Sequence, residues 1–324
     1  MRRETLAHLL LLAVVFVWGT TFVLVKAALA DVSPLLFNLL RMALAAAVLA
    51  LVYGRSLRGL PGSAWRVGAL AGVLLAAGYQ LQTAGLRLTT PSKSAFLTGM
   101  VVVFVPFLSL TQRLRAPGAH RPGAGAFYGA ALGFVGLALL AVPAGQLPWT
   151  FTALRSVSRG DLLTVGCAFA FALHLLTLAH GSQRIPFQAL ATVQIGIAAV
   201  VMALTLPLFE LHPYFHGTPR FFFAWFVAAL LATAAAFSIQ SWAQAFLPAS
   251  HTALIFALEP VFAAGTSWLV LRERLHGRAL VGAGLVLGAI VISELFPSGG
   301  VQPTAHEAAP LGEEPFRGKA GENP

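Results

Sequence analysis

Apolar stretches about 20 residues long follow one another along almost the whole of this 324-residue chain. Hydrophobic residues make up 58% of the sequence and charged residues only 10%, so the chain lacks the polar surface that a water-soluble fold needs. The strict alternation typical of a transmembrane β-barrel is absent. The sequence therefore predicts an all-α, polytopic membrane protein whose surroundings are the lipid bilayer.

Ten stretches are long enough to cross the hydrocarbon core as helices. They are residues 6–28, 34–53, 67–86, 94–112, 124–143, 161–180, 187–209, 221–246, 249–271 and 279–296. The first resembles a signal peptide but is too long for one, so we predict that it is retained as a span. The final residues, 297–324, are polar and rich in Gly, Pro and Glu, which predicts a disordered cytoplasmic tail.

Landmarks that recur at a nearly constant spacing indicate an internal duplication. The spacing is 153 residues for Trp18 with Phe171 and for Arg41 with Gln194, and 158 residues for Gln82 with Gln240. Further matches join Pro34 with Pro186, Ser94 with Thr252, Pro106 with Pro260, and Gly125 and Gly136 with Gly277 and Gly288. A series this long predicts two repeats, residues 1–150 and residues 151–296.

Each predicted repeat holds five helices, and five is an odd number. The second copy must then enter the membrane from the opposite side, which gives two inverted five-helix repeats, an architecture typical of secondary transporters. The net charge of +10 lies mostly in short loops, as membrane topology demands, and forms no groove for nucleic acid. Arginines crowd the inner loops of the first repeat, so we expect both termini to be cytoplasmic.

Several motifs occur in a fixed order along residues 6–296. They are Phe16–Phe22 with Lys26, Ser33–Pro34 and Arg41, then Thr89–Gly99 with Val105–Pro106, and in the second repeat Ala253–Phe262 and Leu271–Leu275. This ordered set resembles the EamA-type family of the drug/metabolite transporter (DMT) superfamily. The resemblance implies ten helices, a central cavity and carrier-mediated transport of small metabolites. One departure is that Arg113–Pro117 lacks the acidic residue present at Glu273 in the second repeat.

Three ionisable residues are predicted at membrane depth, where charge is costly and usually faces a wet interior. Lys26, Arg41 and Glu259 are candidates for coupling or for structural ion pairs. Lys26 can also extend its ammonium to the headgroups. Glu259 can hold a proton, a cation or an ammonium group, or it can lock the two repeats together. Pro106 and Pro260 are predicted helix breaks, because proline removes a main-chain hydrogen bond.

Amide and aromatic side chains within the spans are candidate substrate ligands, because an amide offers donors and acceptors without a charge. They are Trp18, Tyr79, Gln82, His174, Gln240, Trp242 and Gln244. The alternative is that the amides only join packed helices and that His174 is a satisfied packing residue.

The leading hypothesis is a monomeric secondary active exporter of small organic metabolites such as amino acids, in a bacterial inner membrane. No cofactor, catalytic residue or metal site is expected, and without a phosphate-binding loop a proton or substrate gradient must supply the energy. The alternative is a membrane enzyme acting on lipid-linked substrates, for which Glu210, His212 and His216 form the one acidic and histidine cluster. Their spacing builds no known metal site and predicts a solvated loop. A channel is disfavoured because no selectivity-filter motif is visible.

Overall fold

The computed structural model describes residues 3–115, 121–141, 158–272 and 277–295. Within these ranges the regular structure is helical, apart from one isolated bridge between two loops. The predicted tail and the predicted boundary between the repeats, near residue 150, lie outside the described residues. So does Glu273, the acidic residue that distinguishes the two repeats.

The first repeat begins with three long helices, and the second and fourth of its six helices have proline in their first turn. The helices are α1 (Arg3–Ala28), α2 (Pro34–Tyr53), α3 (Gly62–Leu88), α4 (Pro91–Thr98), α5 (Val101–Leu108) and α6 (Ala124–Ala141). Proline suits a first turn because its missing amide would have no partner there. At α4 the preceding Thr90 also caps the helix, with its hydroxyl accepting from the Lys93 amide.

The second repeat begins with a capping box, in which Ser158 and Asp161 each accept a hydrogen bond from the other's main-chain amide. Its helices are α7 (Arg159–Gly181), α8 (Phe187–Phe209), α9 (Pro219–Phe226), α10 (Ala236–Ala243), α11 (Ala249–Phe256), α12 (Glu259–Leu271) and α13 (Gly277–Leu295). A nine-residue π-helical segment, Val227–Ala235, joins α9 to α10 without a gap.

Eight segments of the described chain are long and apolar enough to cross a membrane. They are Arg3–Ala28, Pro34–Leu57, Gly62–Leu88, Pro91–Leu108, Arg159–Gly181, Phe187–Phe209, Pro219–Ala243 and Ala249–Leu271. Helix α6 contains a shorter apolar stretch, Ala124–Gly136, and packs extensively along α13. The all-helical, membrane-spanning class predicted from the sequence is therefore confirmed.

Two spans are interrupted near their middle. Helix α4 ends before Gly99–Met100 and helix α11 ends before Ala257–Leu258, so the two interruptions are 158 residues apart. Pro260 follows the second interruption at the start of α12, but Pro106 lies inside α5. The predicted break at Pro106 is therefore wrong, because the interruption lies earlier in the chain, at Gly99–Met100. Proline there removes only one main-chain bond, which the short helix tolerates.

Contacts at glycines give the relative directions of the helices. At one end of α3, Val67 contacts Gly181, the last residue of α7, and at the other end Gly85 contacts Gly160 near the start of α7. Helices α3 and α7 are therefore antiparallel. Lys26, near the end of α1, bonds to the end of α3, so α1 and α7 also run in opposite directions. We call the side where α1 begins the N-terminal face and the side where it ends the distal face.

A loop from the second repeat packs on a loop from the first at the distal face. Val32 and Phe215 form an antiparallel bridge, and the Tyr214 hydroxyl donates to the Leu29 carbonyl at 2.7 Å. We call residues 29–33 with residues 210–220 the distal strap. Several main-chain and side-chain bonds therefore hold the two repeats together on this side.

An ion pair and a helix cap complete the distal strap. The Arg220 guanidinium donates two hydrogen bonds of 2.8 Å to Asp31, and these bonds lower the pKa of that carboxyl. The Glu210 carboxylate accepts from the Ser33 hydroxyl at 2.8 Å and from the Leu36 amide at 3.1 Å, so it caps the start of α2. Most residues of the predicted solvated loop, 210–216, are exposed, and the loop is also bonded to the first repeat.

Replacing Glu210 with alanine is expected to lower the free energy of unfolding by about 1 kcal/mol, because the first turn of α2 loses its cap. Thermal unfolding of the purified protein in detergent measures the change. Glu4→Ala, at an exposed position, is the matched control and is expected to leave the melting temperature unchanged. Equal melting temperatures for both variants would show that the cap contributes nothing.

Candidate functional site

A cavity lies among the helices of both repeats and holds about 780 Å³ of empty space, a volume that includes space open to solvent. Aromatic and polar side chains make up most of its wall. The lining residues are Trp18, Thr21, Phe22, Val25, Arg41, Tyr79, Gln82, Thr83, Leu86, Thr98, Gly99, Val101, Phe171, His174, Leu175, Phe237, Gln240, Phe256 and Glu259.

Most of the wall is built from corresponding positions of the two repeats. At a spacing of 153 residues the corresponding lining pairs are Trp18 with Phe171, Thr21 with His174, and Phe22 with Leu175. At a spacing of 158 residues they are Tyr79 with Phe237, Gln82 with Gln240, Thr98 with Phe256, and Val101 with Glu259. The same face of each helix in the two repeats therefore points into one shared space.

The remaining lining residues all belong to the first repeat. They are Val25, Arg41, Thr83, Leu86 and Gly99. Val25 and Leu86 lie near the distal ends of α1 and α3, and their counterparts Leu178 and Gln244 are buried elsewhere in the packing. The cavity therefore extends farther toward the distal face than toward the N-terminal face.

Arg41 is buried on α2 and most of its donors are bonded. Its Nε donates to the Thr233 hydroxyl at 2.6 Å, and its Nη2 donates to the Tyr79 hydroxyl at 3.0 Å and to the Ala232 carbonyl at 3.1 Å. The guanidinium carbon also lies 4.2 Å from the centre of the Tyr79 ring, a cation–π distance. Nη1 makes no hydrogen bond to a described residue, so one donor group remains for a ligand.

The π-helical segment supplies the acceptors that hold this arginine. The Ala232 carbonyl accepts from Arg41 and also from the Trp18 indole nitrogen at 2.8 Å. The Thr233 hydroxyl, which accepts from Arg41, donates to the Ala228 carbonyl at 2.8 Å. π-helical turns are rare and recur at functional sites. Here the segment links helices of the first repeat to the second repeat.

Glu259 is the first residue of α12, directly after the helix interruption. It is 9% exposed, and no described residue donates a hydrogen bond to its carboxylate. It lies within electrostatic reach of Arg41, yet the two do not form an ion pair. The cavity therefore contains one basic and one acidic side chain, each with capacity to bind a ligand.

The side chains of Gln82, Gln240 and His174 each form a hydrogen bond to a neighbouring side chain. Gln82 donates to the Thr98 hydroxyl at 3.3 Å, and the His174 ring is bonded to the Gln194 side-chain oxygen at 2.7 Å. Gln240 donates to Gln244 at 3.2 Å, while its own side-chain oxygen is buried without a hydrogen-bond partner among the described residues.

Trp242 and Gln244, two predicted ligands, do not line the cavity. Trp242 is two residues beyond Gln240, so a helix turns it away, and it packs on Phe246 with ring centres 5.0 Å apart. Gln244 lies beyond the cavity floor, where its amide donates to the Leu175 carbonyl at 3.1 Å. Both residues join helices instead.

Lys26 does not line the cavity. Its ammonium donates to the carbonyls of Leu86, Arg87 and Thr89 at 2.8, 3.1 and 2.9 Å. The last carbonyls of a helix have no partners within the helix and attract a cation. Lys26 therefore caps the end of α3 and ties it to α1.

Trp18 and Tyr79 were predicted as ligands from the sequence, but the three phenylalanines that pack against them in the cavity wall, Phe171, Phe237 and Phe256, were not. Phe171 packs edge-on against Tyr79 at 5.3 Å between ring centres, and Phe256 packs against Trp18 at 5.0 Å. Phe237 contacts both Trp18 and Tyr79. The duplication could have identified two of them, because Phe237 is the counterpart of Tyr79 and Phe171 is the counterpart of Trp18.

The fold and the cavity define a class: a multi-pass helical membrane protein with a central polar site enclosed by two similar repeats. The chain belongs to the EamA-like transporter family, whose model matches residues 5–142 and again residues 158–295. The family recognised from the motifs is thereby confirmed, as is the duplication. The protein is a membrane transporter, which fits the expectation that it is not an enzyme.

Two relatives place this result in context. An uncharacterized transporter from Archaeoglobus fulgidus is 29% identical over 289 residues, covering 89% of this chain and 86% of its own. A protein of known crystal structure shares 20% identity with a TM-score of 0.67, over 90% of this chain and 97% of its own. The second likeness shows that the fold is shared.

The loop on which the alternative of a lipid-linked enzyme depended has a structural role. Its Glu210 is bonded to the start of α2. Across the described ranges, no three His, Cys, Asp or Glu side chains are grouped closely enough to hold a metal ion.

Proposed function

We propose that the protein is a secondary active transporter that works by alternating access, with ten membrane-spanning helices in two inverted five-helix repeats. Three observations support this. Helices α1 and α7, which open the two repeats, are antiparallel. The family match recurs at the spacing of the repeat. The cavity is lined by corresponding residues of both repeats, as expected for a site between inverted repeats.

The substrate we propose is a small organic zwitterion such as an amino acid. The observation that carries this proposal is the pair Arg41 and Glu259, which face one cavity without neutralising each other. A ligand carboxylate would accept from Arg41 Nη1, and a ligand ammonium would bind the Glu259 carboxylate. Charge-assisted bonds of both signs in a space of low dielectric select a ligand that carries both charges. Trp18 and Phe256 would enclose its apolar part.

We propose that the N-terminal face is cytoplasmic and that the protein is a monomer in the bacterial plasma membrane. Exposed arginines crowd this face, at Arg55, Arg58, Arg66, Arg113 and Arg184. On the distal face Lys93 and Arg220 are paired with Asp161 and Asp31, while Arg87, Arg159 and Arg272 are exposed, so the excess at the N-terminal face is small. This asymmetry fits the positive-inside rule and puts both termini in the cytoplasm. Export, driven by a proton or substrate gradient, is the direction we propose.

Transport by the purified protein in liposomes tests the substrate class. Proteoliposomes loaded with a pool of unlabelled amino acids are supplied with labelled amino acids, with and without a pH gradient. We expect counterflow of at least one zwitterion, and competition by its decarboxylated amine or its deaminated acid at least about tenfold weaker, since each lacks one charge-assisted contact. Exchange of amines or of carboxylic acids alone would overturn the zwitterion proposal.

A further inference from the structure

The two interrupted spans are each tied, at the tip of their first half-helix, to the opening helix of the other repeat. Lys93 on α4 of the first repeat forms a 2.8 Å ion pair with Asp161 at the start of α7. His251 on α11 of the second repeat forms a 2.8 Å hydrogen bond with His8 at the start of α1. The first pair lies at the distal face and the second at the N-terminal face.

These two pairs are counterparts in the duplicated chain. Lys93 and His251 are 158 residues apart, the spacing of the helix interruptions, and His8 and Asp161 are 153 residues apart, the spacing of the opening helices. Both members of one pair therefore correspond to both members of the other. The chemistry of the two pairs differs, because one joins an ammonium to a carboxylate and the other joins two imidazoles. Each pair nevertheless joins the repeats at corresponding positions.

The half-helices that carry these tips also form the cavity wall. Thr98 ends α4 and Phe256 ends α11, and both line the cavity directly before the interruptions at Gly99–Met100 and Ala257–Leu258. At each interruption the regular helical pattern gives way to tighter turn bonds, such as Met100 N–H to the Leu97 carbonyl and Leu258 N–H to the Ile255 carbonyl. Such a change of pattern is a point at which one half of a span can bend against the other. If the start of a half-helix were released from the opposite repeat, the cavity would open to the face on which that start lies.

We propose that Lys93–Asp161 and His8–His251 are the two gates of the transporter, the first at the distal face and the second at the N-terminal face, and that they open alternately. This inference rests on the proposed alternating access and deepens it by naming the contacts that break. Each gate joins the repeats through a contact between side chains, which can open without unwinding a helix. The distal strap combines a main-chain bridge, a helix cap and an ion pair, so it stays closed.

Labelling of a cavity cysteine from each side of the membrane tests the gates without any substrate. Thr21, which lines the cavity, is replaced by cysteine in a Cys167→Ala background, and a membrane-impermeant maleimide is added to one side of oriented proteoliposomes. Lys93→Met is expected to raise the labelling rate from the distal side about two- to fivefold. His251→Leu is expected to raise it from the N-terminal side by a similar factor.

Arg220→Met is the matched control, because it breaks an ion pair that also joins the two repeats at the distal face. It is expected to leave both labelling rates unchanged. If Lys93→Met does not fold, Asp161→Asn breaks the same pair while retaining an oxygen for the helix cap. The double charge reversal, Lys93→Asp with Asp161→Lys, is expected to bring the distal rate back toward that of the parent protein.

Three results would overturn the proposal in distinguishable ways. If gate variants and Arg220→Met change the labelling rates alike, the pairs are ordinary structural contacts. If a gate variant raises labelling from the opposite face, the assignment of gates to faces is wrong. If the parent protein is labelled from one face only, in every ionic and substrate condition, alternating access itself fails and the gates fail with it.

Discussion

Replacing Glu259 with glutamine is expected to reduce transport about 100-fold while leaving the protein folded. Glutamine has nearly the same shape, but it cannot bind an ammonium group through a charge. Loss of a charge-assisted contact in a cavity of low dielectric costs about 3 kcal/mol, which is a factor of about 100. Because no described residue bonds the carboxylate, the substitution leaves no buried partner unsatisfied, and stability should change little. Counterflow in liposomes and thermal unfolding in detergent measure the two effects.

The matched control for this prediction is Glu4→Gln, which removes a carboxylate at the exposed start of α1 and should leave transport unchanged. The sequence alone does not decide whether Glu259 takes part in transport or only holds the two repeats together. A variant that transports like the natural protein would remove Glu259 from the mechanism. A variant that unfolds at a much lower temperature would instead show that Glu259 locks the repeats together.

Introducing a single methyl group at Gly19 is expected to destabilise the protein by about 1–3 kcal/mol and to abolish transport. A Cβ atom there would lie 2.6 Å from the Phe262 Cβ, 2.8 Å from the Glu259 carbonyl oxygen and 2.9 Å from the Ala263 amide nitrogen. Two of these atoms belong to the main chain, so α1 and α12 must move apart. That movement also displaces Glu259 from the cavity.

Gly265→Ala is the matched control, because Gly265 lies on α12 itself and has open space around the position of a Cβ atom. It is expected to leave stability unchanged or to raise it slightly, since alanine favours a helix over glycine by up to about 1 kcal/mol. Thermal unfolding compares the two glycine variants under identical conditions. Similar melting temperatures would show that the close approach of α1 to α12 at Gly19 does not exist.

The helices could be predicted where apolar runs end at proline or at polar loops. The predicted spans 34–53, 187–209 and 249–271 coincide with α2, α8 and the pair α11 and α12. The π-helical segment could not be predicted, because Val227–Ala235 is an ordinary apolar run and its main-chain pattern depends on the groups packed around it. The predicted helix break at Pro106 was wrong because membrane helices tolerate an internal proline.

The candidate site could be predicted in part because the duplication marks corresponding positions. Gln82 and Gln240 were singled out as a matched pair, and both line the cavity. Gln244 was misplaced because the sequence does not show where the cavity floor lies. The bonds of Lys26 depend on the position of the end of α3, which only the packing of the helices determines.

The two repeats contribute different charges to the cavity lining, although they are similar in sequence. Arg41 comes from the first repeat and faces Glu259 from the second, whereas their counterparts, Gln194 and Val101, are neutral. A pocket lined by two similar repeats, with a basic side chain from one and an acidic side chain from the other, has an electrical direction. A dipolar molecule inside it has one preferred alignment, and under the alternating access proposed above it would keep that alignment throughout the cycle.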